Sequence, residues 1–413
     1  MIQLCSGVYL VKGAAGACLY DLAHKKLWHI GMPYAELLEQ CAAGKKTACT
    51  DAEQAALEQL AANGLLRFGA PVPLPDITSL RHTPQIRQAW IEICTGCNLR
   101  CLHCYNDAVP DCGGNMPLED FRLVCRRLKE AGIQRVQLIG GEPLCHPELQ
   151  QMLTESAAVF DRTELFTNGT LLTPALCRLL KTLGIFAAVS VYSYLPEMHD
   201  KVTQVRGSHE KTVQALAMLK EAGVPCRTAA VRMKGIDPGE KQADTFYTIG
   251  QPYDVIRMAG RGNAGLLSPE LLRSKLITKE TFRAPLRPES VRDAVSGNPC
   301  FSKKIYVAHD LQVYPCVMER HMSHGSLREK PLHQILRQEI LHLGKDQIAG
   351  CKVCEYRYAC PDCRPDTLSE VLDSAYEKPY FCAYFPEKGV WMNESEKNAL
   401  ICSLCGEKGS FSL

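Results

Sequence analysis

Three cysteines, Cys97, Cys101 and Cys104, stand at C-x3-C-x2-C spacing inside the stretch Cys97-Asn-Leu-Arg-Cys101-Leu-His-Cys104-Tyr105. Thiolates so spaced in one short loop can ligate three irons of a cubane 4Fe-4S cluster and leave the fourth iron without a protein ligand. An iron left open can bind a reactive molecule. Three other readings compete: a zinc site, a redox C-x2-C pair, and chance in a chain with 22 cysteines. Zinc usually takes four protein ligands, or three plus water, from paired C-x2-C knuckles, and a redox pair needs only two cysteines, so the spacing favours the cluster.

A loop of this kind needs a rigid scaffold on either side. Before it, Ala89-Trp-Ile-Glu-Ile93 reads as a buried strand; after it, Val136-Gln-Leu-Ile-Gly140-Gly141-Glu142-Pro143 reads as a second strand ending in a Gly-Gly-Glu-Pro turn. In this order the two resemble the radical S-adenosylmethionine (radical SAM) superfamily, over about residues 86–265. The resemblance implies that the open iron is chelated by the amino and carboxylate groups of the methionine moiety. Gly140 and Gly141 would let the backbone approach that moiety, with Glu142 and Pro143 completing the turn and Tyr105 lying by the adenine. It also implies reductive cleavage of S-adenosylmethionine to a 5′-deoxyadenosyl radical that removes a hydrogen atom from a substrate, the cofactor's chemistry rather than the protein's.

Composition bounds the class. A chain of 413 residues suggests two or three domains. A hydrophobic content of 46% with 22% charged residues fits an ordinary soluble enzyme, and a net charge of +2 gives no reason to expect nucleic acid or a membrane as partner. No apolar run approaches a membrane span, and the start of the chain lacks a signal-peptide pattern, so a cytoplasmic location is expected. Cysteines in a chain of this size fit cluster ligands and small buried hydrophobes better than a disulfide scaffold.

Residues 1–70 read as a domain of their own. Val8-Tyr-Leu-Val11, Ala17-Cys-Leu-Tyr20 and Lys26-Leu-Trp-His-Ile30 suit a three-stranded meander. Helical patterns follow at Tyr34 to Cys41 and Ala52 to Ala62, the second capped at Thr50-Asp51 and stopped at Asn63-Gly64, and then comes a short wing strand, Leu65 to Phe68. The order resembles a PqqD-like winged helix, the peptide-recognition element of ribosomal-peptide modifying enzymes, which implies that a leader peptide adds a strand to the sheet edge. Residues 71–85 carry Pro71, Pro73 and Pro75 and make an extended linker.

From residue 86 to 265 strands and helices alternate six times, which predicts parallel strands with crossover helices. The family's architecture is a partial (β/α)6 TIM barrel with its site at the strand C-termini. The resemblance nominates Asn168, in Phe166-Thr-Asn-Gly-Thr170 after strand 3, for a ribose or carboxylate, and Ser190 at the end of strand 4, where the family commonly has a serine near the methionine carboxylate. Arg206, before Gly207-Ser208, would pair with that carboxylate. Gly260-Arg-Gly-Asn263 resembles the adenine-side turn after strand 6.

After a bridging segment, 266–296, residues 297–390 carry a second cysteine system and 391–413 form a polar tail holding Cys402 and Cys405. Cys300 precedes the hairpin-like stretch Tyr306 to Cys316; Cys351-x2-Cys354-x5-Cys360-x2-Cys363 and Cys382 follow. Seven cysteines in this order resemble the SPASM domain, which holds two auxiliary 4Fe-4S clusters. The resemblance implies Cys300, Cys316 and Cys363 as ligands of auxiliary cluster I, and Cys351, Cys354, Cys360 and Cys382 of cluster II. Two departures stand out: Leu311 occupies a position where the family often has glycine, and Pro361-Asp362 shortens the last spacing. Viewed alone, C-x2-C-x5-C-x2-C also suits zinc.

Together these parts predict an α/β enzyme that modifies a ribosomally synthesised precursor peptide, closing Cys thioether (sactionine or ranthionine-type) crosslinks, with flavodoxin or ferredoxin as electron donor. Carbon–carbon crosslinking, formylglycine formation as in anaerobic sulfatase maturases, and a non-catalytic iron-sulfur protein are the alternatives. Gly140-Gly-Glu-Pro143 speaks against the last, since a carrier needs no methionine site.

Overall fold

The computed structural model describes residues 1–110, 114–250, 254–255, 265–361, 363–366 and 378–405. The chain opens with β1 (Ile2–Leu4), followed by an antiparallel meander of β2 (Val8–Lys12), β3 (Gly16–Asp21) and β4 (Lys26–Gly31). Strand alternation sorts its side chains onto two faces. Val8, Leu10, Leu19, Trp28 and Ile30 pack against α1 (Met32–Ala42) and α2 (Asp51–Ala62), whereas Tyr9, Val11, Cys18, Tyr20 and Leu27 pack on the C-terminal third. Thr50 and Glu53 form a capping box at the start of α2, which fixes where that helix begins. The short β5 (Leu66–Phe68) pairs antiparallel with β1, a partner that three-residue strands far apart in sequence do not advertise.

Beyond the linker, parallel strands alternate with helices: β6 (Gln88–Cys94), α3 (Leu118–Glu130), β7 (Arg135–Gly140), α4 (Leu149–Val159), β8 (Arg162–Thr167), α5 (Pro174–Thr182), β9 (Phe186–Ser190), α6 (Pro196–Thr203), α7 (Ser208–Glu221) and β10 (Cys226–Ala229). Period-two alternation gives each strand an outer and an inner set. Ala89, Ile91, Ile93, Val136, Leu138, Leu165, Ala187 and Val189 face the helices in the main core. Trp90, Glu92, Gln137, Ile139, Phe166, Ser190 and Ala229 belong to the opposite set, toward the concave side.

Two features depart from a six-stranded sheet. After β10 the ladder breaks at Ala230, and β11 (Val231–Arg232) pairs in parallel with β12 (Asp254–Val255) in a sheet of its own. The sixth strand expected at Val255 to Met258 meets the structure only at Val255; the rest of it, and Gly260 to Asn263, lie outside the described residues. At the other edge the sheet does not stop at β6. Following α8 (Pro269–Lys275) and α9 (Pro288–Ser296), β13 (Lys304–Val307) pairs in parallel with β6, and β14 (Gln312–Tyr314) and β15 (Gly325–Ser326) extend it antiparallel. The result is one eight-stranded sheet in the order β10-β9-β8-β7-β6-β13-β14-β15.

Leu311, in the β13–β14 turn, has φ 71 and is fully buried. Its N–H bonds to the Ala308 carbonyl, so this turn demands a left-handed residue, the conformation glycine adopts without strain. The described residues continue with α10 (Leu332–Ile335), α11 (Gln338–Leu341), β16 (Tyr384–Phe385), β17 (Val390–Trp391) and α12 (Glu394–Cys405). Among the described residues no helix is long and apolar enough to cross a membrane.

Candidate radical site and cysteine-rich module

The cysteine loop leaves β6 and is fastened on several sides. The Arg100 and Leu102 N–H groups donate to the Thr203 and Val202 carbonyls at the end of α6, at 3.0 and 2.9 Å, and Asn98 Nδ2 donates to Thr170 Oγ1 at 2.8 Å. Two backbone donors already point at sulfur: Leu99 N–H at Cys97 Sγ, 3.4 Å, and Ala108 N–H at Cys104 Sγ, 3.3 Å.

Gly140 and Gly141 end the neighbouring strand, with Gly140 beside Cys94 in the ladder. A Cβ on Gly140 would run into the Cys94 carbonyl, and one on Gly141 into the Gly96 carbonyl. The glycines are therefore needed for the close passage of the turn past the cysteine loop itself. The residue after them, Glu142, is 1% exposed and receives three hydrogen bonds: from Thr167 Oγ1, from the Asn168 N–H at 2.7 Å and from the Leu144 N–H at 3.0 Å. Burial pushes its carboxyl up to about 7 against those three bonds, which favour the ionised form. Pro143 follows, buried, in a short 3-10 turn.

A cavity of about 100 Å³ gathers Cys97, Cys101, Cys104, Tyr105, Gly140, Gly141, Glu142, Asn168 and Ser190 on its walls. Asn168 reaches toward Cys97 Sγ, 3.9 Å away, while its amide also donates to Asn98 Oδ1. Arg206 does not join them. The left-handed Gln204, φ 58, turns the chain outward after α6, and the Arg206 side chain is exposed. The sequence reading also passed over His103, Phe166 and Tyr192, which line the same cavity. Alternation along β8, and its continuation two residues past the end of β9, was the available signal for the last two.

The three cysteines suit a cluster on chemical grounds. Burial raises the Cys97 thiol, and the neighbouring Glu142, Cys101 and Cys104 raise it further, so thiolates here are costly until a cation shares them. No three histidine, cysteine, aspartate or glutamate side chains among the described residues converge as ligands of a single ion would. A cubane asks for a different arrangement, three thiolates on three separate irons.

A second cavity, about 350 Å³, opens beside the first and shares His103, Tyr105, Ile139, Phe166, Ser190 and Tyr192 with it. Val317 and Met318, directly after Cys316, close its far side. Tyr105 lines both cavities and packs in one apolar cluster with Cys316, Val317 and Met318. Below it, Glu92 accepts from Asn106 Nδ2 at 2.7 Å and from His309, and Arg320 lies 3.6 Å away, binding the loop, β6 and the C-terminal hairpin into one network. Burial alone would raise the Glu92 carboxyl; the His309 bond and the Arg320 charge bring it below its ordinary value.

In the C-terminal third, Cys354 has Cys360 and Cys382 as electrostatic neighbours, and its N–H donates to the Cys351 carbonyl at 2.9 Å. Cys316 packs beside Phe301, the residue after the exposed Cys300. Cys363 is half-buried, directly before the fully buried Arg364. The Cys351–Cys354 turn also receives the N-terminal meander: the Ala14 N–H donates to the Val353 carbonyl at 2.8 Å, and Tyr20 OH to the Glu355 carbonyl at 2.9 Å.

Residues 91–244 match the family described as "Radical SAM superfamily". That segment is a radical SAM domain, and the family implies S-adenosylmethionine and a 4Fe-4S cluster as its cofactors.

Among curated proteins, the chain is 26% identical over 342 residues to an AdoMet-dependent heme synthase of Methanosarcina barkeri, covering 73% of this chain and 97% of that protein. It is 30% identical over 148 residues to the antilisterial bacteriocin subtilosin biosynthesis protein AlbA of Bacillus subtilis, a match covering 35% of this chain and only 33% of AlbA. Among solved structures, it resembles Streptococcus suis SuiB bound to precursor peptide SuiA (TM-score 0.52, 13% identity, 92% of this chain and 99% of that one). It also resembles anSMEcpe with bound AdoMet and Cp18Cys peptide (TM-score 0.53, 17% identity, 77% and 96%). At these identities the structural likeness is one of fold.

Proposed function

We propose that this radical SAM enzyme matures a ribosomally synthesised precursor peptide, joining a cysteine sulfur to a carbon as a thioether. The observation that carries this reading is the N-terminal meander. One of its faces is covered by its own helices and the other by the cysteine-rich third, yet among the described residues β4 has a strand on one side only. An edge strand with unpaired backbone groups, held against a cysteine turn, suits a peptide that adds as a further strand. The names of AlbA and of SuiB with its precursor peptide point to the same substrate class.

When bound, the 4Fe-4S cluster and S-adenosylmethionine supply a 5′-deoxyadenosyl radical able to remove an unactivated hydrogen atom. The chain's own part is placement. Glu142 offers a carboxylate for the methionine ammonium, Asn168 and Ser190 offer polar groups beside it, and Tyr105 and His103 separate the cysteine cavity from the substrate side. Cys300, Cys316 and Cys363 are assigned to one auxiliary cluster and Cys351, Cys354, Cys360 and Cys382 to a second, with residues 1–70 as the peptide-recognition element. Arg206 is exposed and lies outside the cysteine cavity.

Coexpression with a small cysteine-containing peptide encoded beside the gene, followed by mass spectrometry with thiol alkylation, tests the reading. A thioether lowers the mass by two hydrogens and consumes the thiol without creating an aldehyde. A peptide that keeps its alkylatable thiols and gains a carbon–carbon link, or one that gains an aldehyde, would replace thioether formation with the corresponding rival. A second reading rests on the heme synthase match, which runs over 97% of that protein. It predicts turnover of a tetrapyrrole and no change in any peptide.

A further inference from the structure

Glu92 stands on β6, the strand that leads into the cysteine loop, between the helix-facing Ile91 and Ile93, and is buried. Its Oε1 accepts from Asn106 Nδ2 at 2.7 Å and lies 3.6 Å from Arg320 Nη2. Its Oε2 accepts from the His309 N–H at 3.3 Å, with His309 Nδ1 at 3.2 Å. A carboxylate only accepts, so it can receive all of these at once, which a glutamine amide cannot. Asn106 and Arg320 also meet each other, Arg320 Nη2 donating to Asn106 Oδ1 at 3.3 Å. The Asn106 amide is thereby used at both ends, its oxygen toward the cation and its nitrogen toward the anion. From the same guanidinium, Nε donates to the Val317 carbonyl at 3.2 Å, a set of directions that a planar fork of N–H groups can cover.

Asn106 is two residues past Cys104, and Val317 directly follows Cys316. A closed triangle of anion, amide and cation therefore spans the two cysteine systems, with only those short stretches of chain outside it. Every buried polar atom of the three side chains has a partner, and a fully satisfied network of this kind is stiff. We propose that Glu92, Asn106 and Arg320 are positioning residues that set the separation between the loop of Cys97, Cys101 and Cys104 and the turn of Cys316. It rests on the assignment of a 4Fe-4S cluster to each system, and adds what keeps the two at one distance. Electron passage between redox centres falls steeply with their separation, so a gap held by charged bonds rather than by apolar contact alone gives every molecule the same rate.

The test is pulsed EPR of the anaerobic, dithionite-reduced holoenzyme, which reads distances between paramagnetic clusters from their dipolar coupling. Distances that vanish in Cys97→Ala are those to the loop cluster, and the shortest of them is the gap in question. It should be a single narrow distance in the wild type. Asn106→Ala deletes the amide and leaves Glu92, His309 and Arg320 in place; Glu92→Gln keeps the shape but turns an NH2 group against one of the donors. In each variant the distance should lengthen or spread, at iron and sulfide contents equal to the wild type's. An unchanged narrow distance in cluster-replete Asn106→Ala would overturn the proposal and leave the clusters standing. Zinc at the C-terminal cysteines, or no distance at all in the wild type, would remove the two-cluster reading and the proposal with it. Amide hydrogen exchange on the full chain needs no cluster and covers a variant that fails to load: residues 104–108 and 314–320 should exchange faster together in Asn106→Ala, and unchanged exchange on the 314–320 side would likewise overturn it.

Discussion

His29 Nε2, on the edge strand β4, lies 3.2 Å from the Oε1 of Glu355, the residue after Cys354. Tyr384 OH donates to the same oxygen, and Glu355 is fully buried. The strand proposed to take the peptide and the turn proposed to hold an auxiliary cluster are thus joined through one carboxylate. Gly13 and Gly16 make room for it: a Cβ on Gly16 would stand 2.8 Å from both Glu355 Oε1 and His29 Nε2.

Gly16→Ala should therefore loosen the meander from the C-terminal third. Limited proteolysis should show faster cleavage within residues 71–85, and peptide binding should weaken. Deleting residues 1–70 is a blunter test, because it bares the face formed by Tyr356, Tyr358 and Tyr384. Unchanged proteolysis of Gly16→Ala would mean that the contact does not hold the domain.

Glu142 makes a prediction about pH. Its folded-state value, about 7, lies above the ordinary 4.5. The apoprotein therefore has this group's contribution in full below the ordinary carboxylate range and loses it as pH rises from there through about 7. An ammonium from the methionine moiety reverses the preference, because it favours the ionised carboxylate. The rise in melting temperature on adding S-adenosylmethionine should be larger at pH 8 than at pH 6, and Glu142→Gln should remove the difference. A pH-independent rise in the wild type would put the ammonium elsewhere.

Gly141→Ala places a methyl against the Gly96 and Thr95 carbonyls, backbone that cannot swing away. The cysteine loop has to move. Cleavage of S-adenosylmethionine should fall by at least about tenfold, the effect of roughly 1.4 kcal/mol in the barrier. Full activity in that variant would show that the passage is less tight than it looks.

At Leu311 two effects oppose each other. Leu311→Gly relieves about 1–2 kcal/mol of left-handed strain but empties a fully buried site, and losing a buried leucine costs about 2–5 kcal/mol. The cavity wins, so the variant should melt lower than the wild type by calorimetry. A higher melting temperature would mean that strain dominates the turn.

Much of the fold was legible from local signals. The capping box Thr50–Glu53, the Thr173-Pro174 start of α5 and the outer faces of the strands announce themselves over a few residues. Pairings between distant segments do not. The bonding of β1 to β5 and of β13 to β6 depends on which edges meet in space, and no local pattern encodes it. The same holds at the site. Spacing picks out Cys97, Cys101 and Cys104, but Arg206 was nominated from its place before Gly207, where a left-handed turn at Gln204 sends it to the surface. Trp90 and Glu92 went unnoticed because Ala89 to Ile93 reads as uniformly buried until alternation separates the helix-facing residues from those on the concave side.

The central claim is a cluster held by Cys97, Cys101 and Cys104 that cleaves S-adenosylmethionine. Anaerobically reconstituted protein with dithionite should release 5′-deoxyadenosine, and Cys97→Ala should release none while keeping the iron of the C-terminal cysteines. Undiminished 5′-deoxyadenosine from Cys97→Ala, or none from the fully iron-loaded wild type, would contradict it.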